Sequence, residues 1–443
     1  MIHVAVIGTG YVGLVTGVCF SDFGHRVTCF DINPDKISRL QSGKSPIYEP
    51  GLDTLLSKNI EQGRLFFSDQ SRSLKEADVI FIGVGTPSLT SGAVDMSQVH
   101  SAWNMVADLM RTDSRFRVIV HKSTVPVGSA AAAYRFFIEA GITPAQFGVI
   151  SNPEFLREGS AIQDTFSPDR IVLGGNCETS LALMKKLYHP LASKQVPIYT
   201  STWETAELIK YAANAFLATK LSFINEMANL CDHVGADVTL LSKAIGEDPR
   251  IGRLFLNPGP GYGGSCFPKD TQALMNIAKS YGMEMDIVSA AERINLSQKT
   301  IVLHKIKAHF GDDLSGKRIG VLGLAFKPDT DDVRESASLP VIRALLDDQV
   351  TIQAFDPIAM PNAQGLLGDS IQFCTDIQHT FQDADAVVLM TDWNEFKDLD
   401  LGDLLPKMKT PVLFDVRNLY DPELLFEMGF TYYGLGRQRA RPT

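Results

Sequence analysis

Cys266 is the residue of this chain whose neighbours best equip it for covalent chemistry. It closes the run Gly259-Pro260-Gly261-Tyr262-Gly263-Gly264-Ser265-Cys266, in which four of the first six residues are glycine. Glycines let a backbone take positive φ and approach a ligand closely. Phe267, Pro268, Lys269 and Asp270 follow and open TQALMNIAKSYG, which has the pattern of an amphipathic helix. Proline fits the first helical turn, where its missing N–H costs no bond. Cys266 is therefore expected at or just before a helix N-terminus, whose partial positive charge favours a thiolate. A thiolate in a glycine-lined loop suits covalent catalysis. The plainer alternative is a cysteine buried in a tight turn.

A second chemistry is written at the N-terminus. The strand-like HVAVIG is followed by Gly8-Thr9-Gly10-Tyr11-Val12-Gly13, then by LVTGVCFSDFG with a helical pattern, then by RVTCFD ending at Asp31. GxGxxG in a strand–turn–helix–strand setting, with an acid about twenty positions on, is a dinucleotide site. Its glycines allow the turn and the approach of a pyrophosphate to a helix N-terminus. Asp31 can accept both ribose hydroxyls and would repel a 2′-phosphate, so NAD is favoured over NADP; nearby Lys36 weakens that preference.

A hydride acceptor and a nucleophilic thiolate together suggest a specific reaction. An alcohol is oxidised to an aldehyde, the thiolate traps it as a thiohemiacetal, a second hydride leaves to give a thioester, and water releases an acid. Lys210 and Asn214, four apart, share one helix face. They read either as an ammonium and an amide directed into a cleft, fit to hold an oxyanion, or as part of a solvated face. Glu154 or Asp270 could steer a water or take its proton.

The elements that must position these groups can be read along the chain. Apolar strands end at Gly85-Thr86-Pro87, at Ser123-Thr124 and at Asn152-Pro153-Glu154. Strands of this kind separated by helices imply a parallel sheet covered on both faces, with ligands beyond the carboxyl ends of the strands. Thr86, Thr124, Glu154 and Glu158 follow such ends, as site residues or as plain caps and turns. RIVLGG and VPIYTST complete the first domain. From about residue 203 to 233 no glycine or proline interrupts the pattern, which predicts one long helix. VTLLSKAIG makes a short helix, the loop to Cys266 follows, and a second long helix runs over roughly 285–309. KRIGVLG, VTIQAFDP, DADAVVLM and PVLFDVRN then repeat the strand pattern of the first domain, but only Gly320 and Gly323 remain of a glycine motif. This unit should hold another nucleotide-like ligand or serve structure alone, with Lys327 and Arg334 placed to meet phosphate or solvent. The tail after Gly436, RQRARPT, is basic and expected to fray. The fold class expected is α/β, with two Rossmann-like doubly wound domains joined by a long central helix. Its boundaries fall at 1–200, 201–310 (the helical connector with the cysteine loop) and 311–443.

Composition narrows the partners. The net charge of −10 argues against nucleic acid and anionic membranes. No apolar run approaches a membrane span, and MIHVAVIG enters a strand with no basic leader, so no signal peptide and a cytoplasmic location are expected. Six cysteines are scattered without metal or disulfide spacing. Cys19, Cys29 and Cys231 read as core, Cys177 and Cys374 as loop or strand-end residues, and no metal site is expected.

GTGYVG, KSPIYEPGL, STVPVG, NPEFLREG, KYAANAF, FLNPGPGYGGSCFPKD and FKPDTDDVRES occur in this order over nearly the whole chain. In these motifs the chain resembles the nucleotide-sugar dehydrogenases, the UDP-glucose/GDP-mannose dehydrogenase family. The resemblance implies two-step oxidation of UDP-glucose to UDP-glucuronate with two NAD, and a homodimer built on the long helix. By motif match it makes Cys266 the nucleophile, has Lys210, Asn214 and Asp270 support oxyanion and water, has Glu154 assist thioester hydrolysis and gives Thr124 a catalytic water. It brings Val12, Asp31, Lys36, Thr86, Glu158, Lys269 and Arg334 to the cofactor, with Gly8, Gly10, Tyr11 and Gly13 of the turn. It assigns the substrate to Glu154, Phe155, Leu156, Arg157 and Glu158, to Lys210 and Asn214, to Phe255, Leu256, Asn257, Pro258 and Gly259, and to Gly263 and Lys327. Arg250 would reach the substrate across the dimer, and Arg417 would contact the uridine diphosphate. Animal members of the family commonly carry a lysine in place of Asn257, and bacterial-type members carry FLNPG or close variants. Contacts of the bacterial type, with a larger part for the loop backbone, are expected. Other readings are dehydrogenation of GDP-mannose or a UDP-N-acetylhexosamine, a two-electron alcohol dehydrogenase that needs no thiol, and a non-catalytic NAD sensor.

Overall fold

The computed structural model describes residues 1–437, and its chain condenses into two units. The first is Met1–Ala213 with Gln272–Tyr281; the second is Asn214–Thr271 with the chain from Gly282 onward.

The first unit runs β1 (His3–Ile7), α1 (Tyr11–Asp22), β2 (Arg26–Phe30), α2 (Pro34–Gln41), α3 (Leu52–Glu61), β3 (Leu65–Ser68), β4 (Val79–Ile82) and α4 (Ser97–Arg111). It continues with β5 (Arg117–His121), α5 (Ser129–Glu139), β6 (Phe147–Ser151), α6 (Ala161–Phe166), β7 (Ile171–Gly174), α7 (Glu178–Leu187), α8 (His189–Ala192) and β8 (Ile198–Ser201), and enters α9 (Trp203–Val234). The strand order is β3-β2-β1-β4-β5-β6-β7-β8. Alternate residues of one strand serve different cores: Val4 and Val6 pack into one apolar cluster, Ala5 and Ile7 into another. Both faces are covered, which is why the middles of these strands are apolar on both sides.

The strand pattern predicts a parallel sheet, and one pairing departs from it. β7 pairs antiparallel with β6, and β8 runs parallel to β7. The link between β6 and β7 carries only the six-residue α6. Residues 152–170 are long enough for a parallel crossover but lack the long helix that usually makes one, and an apolar run carries no sign of its direction.

The second unit takes up α9 at Asn214 and adds α10 (Val238–Gly246), the first turn of α11 (Phe267–Ser280) and α12 (Asp286–Phe310). A sheet of β9 (Arg318–Leu322), β10 (Thr351–Phe355), β11 (Gln372–Phe373), β12 (Ala386–Leu389), β13 (Val412–Asp415) and β14 (Thr431–Gly434) follows, with α13 (Ser338–Asp347) after β9. Its order is β11-β10-β9-β12-β13-β14, parallel at every pairing. The fold is thus α/β with two Rossmann-like domains, the first sheet mainly and the second wholly parallel, and a central helix of 32 residues, about 48 Å at 1.5 Å per residue. β3, β11 and β14 have no counterpart in the sequence reading; all are four residues or shorter. Of the basic tail, Arg437 is not frayed: its guanidinium donates to the Tyr420 carbonyl at 3.0 Å. Residues 438–443 lie outside the described residues.

Candidate active site

In the first unit the glycine turn joins β1 to α1. A Cβ on Gly13 would stand 2.0 Å from the Gly8 carbonyl oxygen, so glycine here lets helix and turn pack. A Cβ on Gly10 would meet nothing within 4 Å among the described residues. Gly10 relieves no protein clash; it leaves open the space in front of the α1 N-terminus, as a pyrophosphate requires. Asp31 follows β2 and accepts from the Thr9 N–H (3.0 Å) and hydroxyl (2.7 Å), the Asn33 N–H (3.1 Å) and Lys36 Nζ (3.1 Å). Burial alone would raise its pKa, but these donors hold it below the usual carboxylate value. Ile32, beside it, is 81% exposed, an apolar surface that sequence reading passed over.

The ends of β4, β5 and β6 gather the next group. Thr86 is buried and Thr124 half-buried. The Ser123 hydroxyl donates to the Val84 carbonyl at 2.6 Å and ties two of these ends together. Glu154 and Lys210, both buried, form an ion pair at 3.0 Å, and Glu154 also accepts from the Leu156 N–H. Phe155 stacks under the Arg170 guanidinium at 3.9 Å, with Lys210 Nζ 5.6 Å from its ring. Arg157 turns to Asp164 in an ion pair, and Glu158 is half-buried. A buried lysine unmarked in the sequence reading, Lys122, donates to Asn152 at 3.3 Å. Burial lowers its pKa to about 8 against the pull of Glu154 and with the push of Lys210. Its place in HKSTVPVG, at the end of an apolar strand, was the available signal.

The second unit holds the cysteine. Cys266 immediately precedes α11, and its carbonyl accepts the Asp270 N–H at 2.8 Å, the first bond of that helix. It is half-buried, with its sulfur 3.6 Å from the Ser265 hydroxyl. Asp270, one turn on and 1% exposed, accepts from the Asn214 amide (2.6 Å) and from Lys269 Nζ (2.6 Å). Three candidate residues, Asp270 and Asn214 buried and Lys269 half-buried, are thus brought together at the start of the helix that Cys266 opens. Lys210 and Asn214 lie one turn apart on α9, at the end of the first unit and the start of the second.

The loop before Cys266 is held by a ladder from α12. Glu292 accepts from the Tyr262 hydroxyl (2.8 Å) and from Thr271 (3.1 Å). Asn295 binds both the N–H (2.7 Å) and the C=O (3.2 Å) of Tyr262, and Gln298 donates to the Gly259 carbonyl (3.0 Å). From α9, Asn225 accepts the Gly259 N–H at 2.8 Å. None of these four clamp residues was singled out from sequence, although three polar side chains at three-residue spacing on one helix were a usable sign. Phe255 takes positive φ (63°), Leu256 and Pro258 are buried, and Asn257 is exposed. Gly259 lies where a Cβ would be 2.8 Å from Arg417, whose guanidinium also donates to the Met390 and Phe326 carbonyls. Gly263 packs closer still, a Cβ there falling 2.2 Å from the Glu335 carbonyl oxygen. Lys327 lies 5.8 Å from the Phe326 ring, and Arg334 pairs with Asp332. Arg250 stands apart from these groups, paired with Asp248 and 87% exposed at its side chain.

Asp356, after β10, has the position in this unit that Asp31 has in the first, but it is wholly buried. It accepts the N–H groups of Leu324, Ala325, Ile358 and Ala359 and the Trp393 indole. Its oxygens are thus taken up inside the unit, and it is closed to the ribose role that Asp31 could fill.

A dinucleotide turn on one sheet, a closed counterpart on the other and a cysteine at a helix start fit a nucleotide-dependent dehydrogenase with two Rossmann-like domains. Comparison with known proteins narrows the class. Residues 2–192 match the NAD binding domain of the UDP-glucose/GDP-mannose dehydrogenase family, 204–297 its central domain and 320–422 its UDP binding domain. The chain belongs to this family, and its cofactor is NAD. It is 46% identical over 438 residues to a UDP-glucose 6-dehydrogenase of Rhizobium meliloti (strain 1021), covering 98% of this chain and 99% of that protein. It is 43% identical over 444 residues to UDP-glucose 6-dehydrogenase TuaD of Bacillus subtilis (strain 168), covering 100% and 95%. The structure of a UDP-glucose dehydrogenase from Pyrobaculum islandicum superposes with a TM-score of 0.91 at 38% identity, over 98% of each chain.

Proposed function

We propose that this chain oxidises the primary alcohol of UDP-glucose to the carboxylate of UDP-glucuronate, consuming two NAD and one water, with Cys266 as the covalent catalyst. The observation that carries the reading is the buried Asp270, in the first turn of the helix that Cys266 opens, held by Asn214 of α9 and by half-buried Lys269. Bound NAD supplies the hydride acceptor for both oxidations. The chain's own residues do the rest. The Cys266 sulfur bonds to the aldehyde carbon after the first oxidation. Loss of the second hydride turns that adduct into a thioester. Water then attacks, the C–S bond breaks, and the thiolate is restored.

Asp270 fixes the Asn214 amide, and Glu154 fixes the Lys210 ammonium, as donors to the oxyanion. Thr124 holds the water, and Glu154 takes its proton during hydrolysis. Lys269, Thr86, Glu158 and Arg334 serve the cofactor with the glycine turn, and Ile32 offers the adenine an apolar seat. The 154–158 and 255–259 segments, Gly263, Lys327 and Arg417 hold the sugar nucleotide. We read the chain as three functional segments, 1–200, 201–310 and 311–443, in keeping with the three family-model ranges. A homodimer through α9 is supported by Phe216, Phe223 and Leu230, exposed apolar residues at seven-residue spacing, and Arg250 would then reach the partner's substrate. No helix among the described residues is long and apolar enough to cross a membrane, and we assign the enzyme to the cytoplasm.

The test is a panel of UDP-glucose, GDP-mannose and UDP-N-acetylhexosamines, followed by NADH absorbance. Two NADH per UDP-glucose consumed are expected; a ratio of one removes the thioester route, and turnover of another sugar nucleotide alone reassigns the substrate. Cys266→Ala should bind both ligands and not turn over.

A further inference from the structure

KSPIYEPGL, between α2 and α3, has so far been given no task. Its Glu49 is a buried carboxylate in a surface loop, 6% exposed. One oxygen accepts the Ala161 N–H at 2.7 Å; the other accepts the Gly159 N–H at 2.7 Å and the Tyr11 hydroxyl. Gly159 N–H also reaches the Tyr11 oxygen at 2.9 Å, which closes a three-way contact. Burial, and then Glu49 itself, push the Tyr11 hydroxyl far above its ordinary pKa, so it remains a donor.

The three partners come from distant stretches of chain. Tyr11 is the first residue of α1 and follows Gly10 of the dinucleotide turn. Gly159 follows Glu158, and Ala161 begins α6, whose own cap residue Ser160 makes no side-chain cap bond. Beneath the polar contacts Tyr11, Leu156, Ile162 and Phe166 pack on Val15, Cys19 and Ala161. Arg157 and Asp164 close the turn between them. A buried carboxylate cannot leave such donors without losing bonds that nothing nearby replaces. A shift of the turn at Tyr11 is therefore transmitted to the segment that ends at Glu158, and the reverse.

We propose that Glu49 is a positioning residue that couples the dinucleotide turn to the Glu154–Glu158 segment, so that NAD(H) and the sugar nucleotide bind interdependently. This rests on the reading of that segment as substrate-facing. Coupling of this kind is reciprocal: each ligand must change the affinity of the other by one factor.

NADH with UDP-glucose is an unreactive pair, because the reduced cofactor can accept no hydride. NADH affinity is measured by fluorescence with and without saturating UDP-glucose, and UDP-glucose affinity by calorimetry with and without NADH. The intact protein should show one factor in both directions, at least about fivefold. Glu49→Gln, whose amide oxygen can still accept from Ala161, should bring it close to one. Tyr11→Phe should reduce it too, and the double variant should lower it no further than Glu49→Gln alone. Undiminished coupling in Glu49→Gln, or none in the intact protein, overturns the proposal. If Glu49→Gln loses its circular-dichroism spectrum, Tyr11→Phe decides by the same ratio. Failure of UDP-glucose to bind at all would overturn the proposed function and this inference together; independent binding of both ligands would overturn the inference alone.

Discussion

Asp31 and Asp356 follow the second strand of two similar sheets, and only their partners separate their uses. Asp31 is half-buried, held by Thr9, Asn33 and Lys36. Asp356 gives its oxygens to four backbone N–H groups and an indole and serves as an internal staple. Glu207, one turn before Lys210 on α9, shows the energetic side of burial. It is 2% exposed and accepts the Gly128 and Ala130 N–H groups at the start of α5. Burial raises its pKa to about 7 in spite of those donors. A carboxylate raised on folding binds more protons in the folded than in the unfolded chain between its two pKa values. Its contribution to stability is present at low pH and is lost as pH rises through about 7. Glu207→Gln should therefore gain on the native protein by up to roughly 3 kcal/mol between pH 5 and pH 8. His121 and Lys122 shift in both proteins and cancel in the difference. Denaturant titrations at the two pH values check this; a pH-independent difference sinks it.

At the scale of elements, the backbone of the cysteine loop is held by side chains of two helices. α12 supplies Glu292, Asn295 and Gln298 at three-residue spacing, and α9 supplies Asn225. Gly264 closes the loop at φ 80°, where a Cβ would lie 2.7 Å from the Phe326 ring. Gly264→Ala should cost about 1–3 kcal/mol of stability through backbone strain. Turnover should fall by at least about tenfold, because the thiol two residues on is displaced. NADH affinity should fall less than turnover, since the glycine turn belongs to the other unit and only Lys269 and Arg334 of the proposed cofactor residues lie in this one. Full turnover in this variant would show that the loop is not positioned as argued.

For the molecule as a whole, assembly is read from α9. Its buried positions include Ala206, Ala215, Ala218 and Ala228, small side chains that let neighbours approach. Phe216, at 67%, Phe223, at 47%, and Leu230, at 52%, are left exposed on a seven-residue repeat, a seam fit for a second helix. Phe216→Glu with Phe223→Glu should turn a dimer into a monomer by light scattering. A native protein that is already monomeric, or a variant that still pairs, would remove α9 as the interface.

Local rules sufficed for much of this protein. The glycine turn, the acid after β2, the uninterrupted central helix and the cysteine at a helix start each follow from spacing within one or two elements, where steric limits and helix geometry act directly. Tertiary structure decided what spacing cannot encode. It reversed β7, because an apolar run looks the same in either direction. It buried Asp356 and left Asp31 at a turn. It joined Asn214 to Asp270 and Lys210 to Glu154 across 56 residues each. It gave Glu49, Lys122 and the α12 ladder their partners, because a buried polar group takes its role from the donors and acceptors that folding brings to it, and these lie far away along the chain.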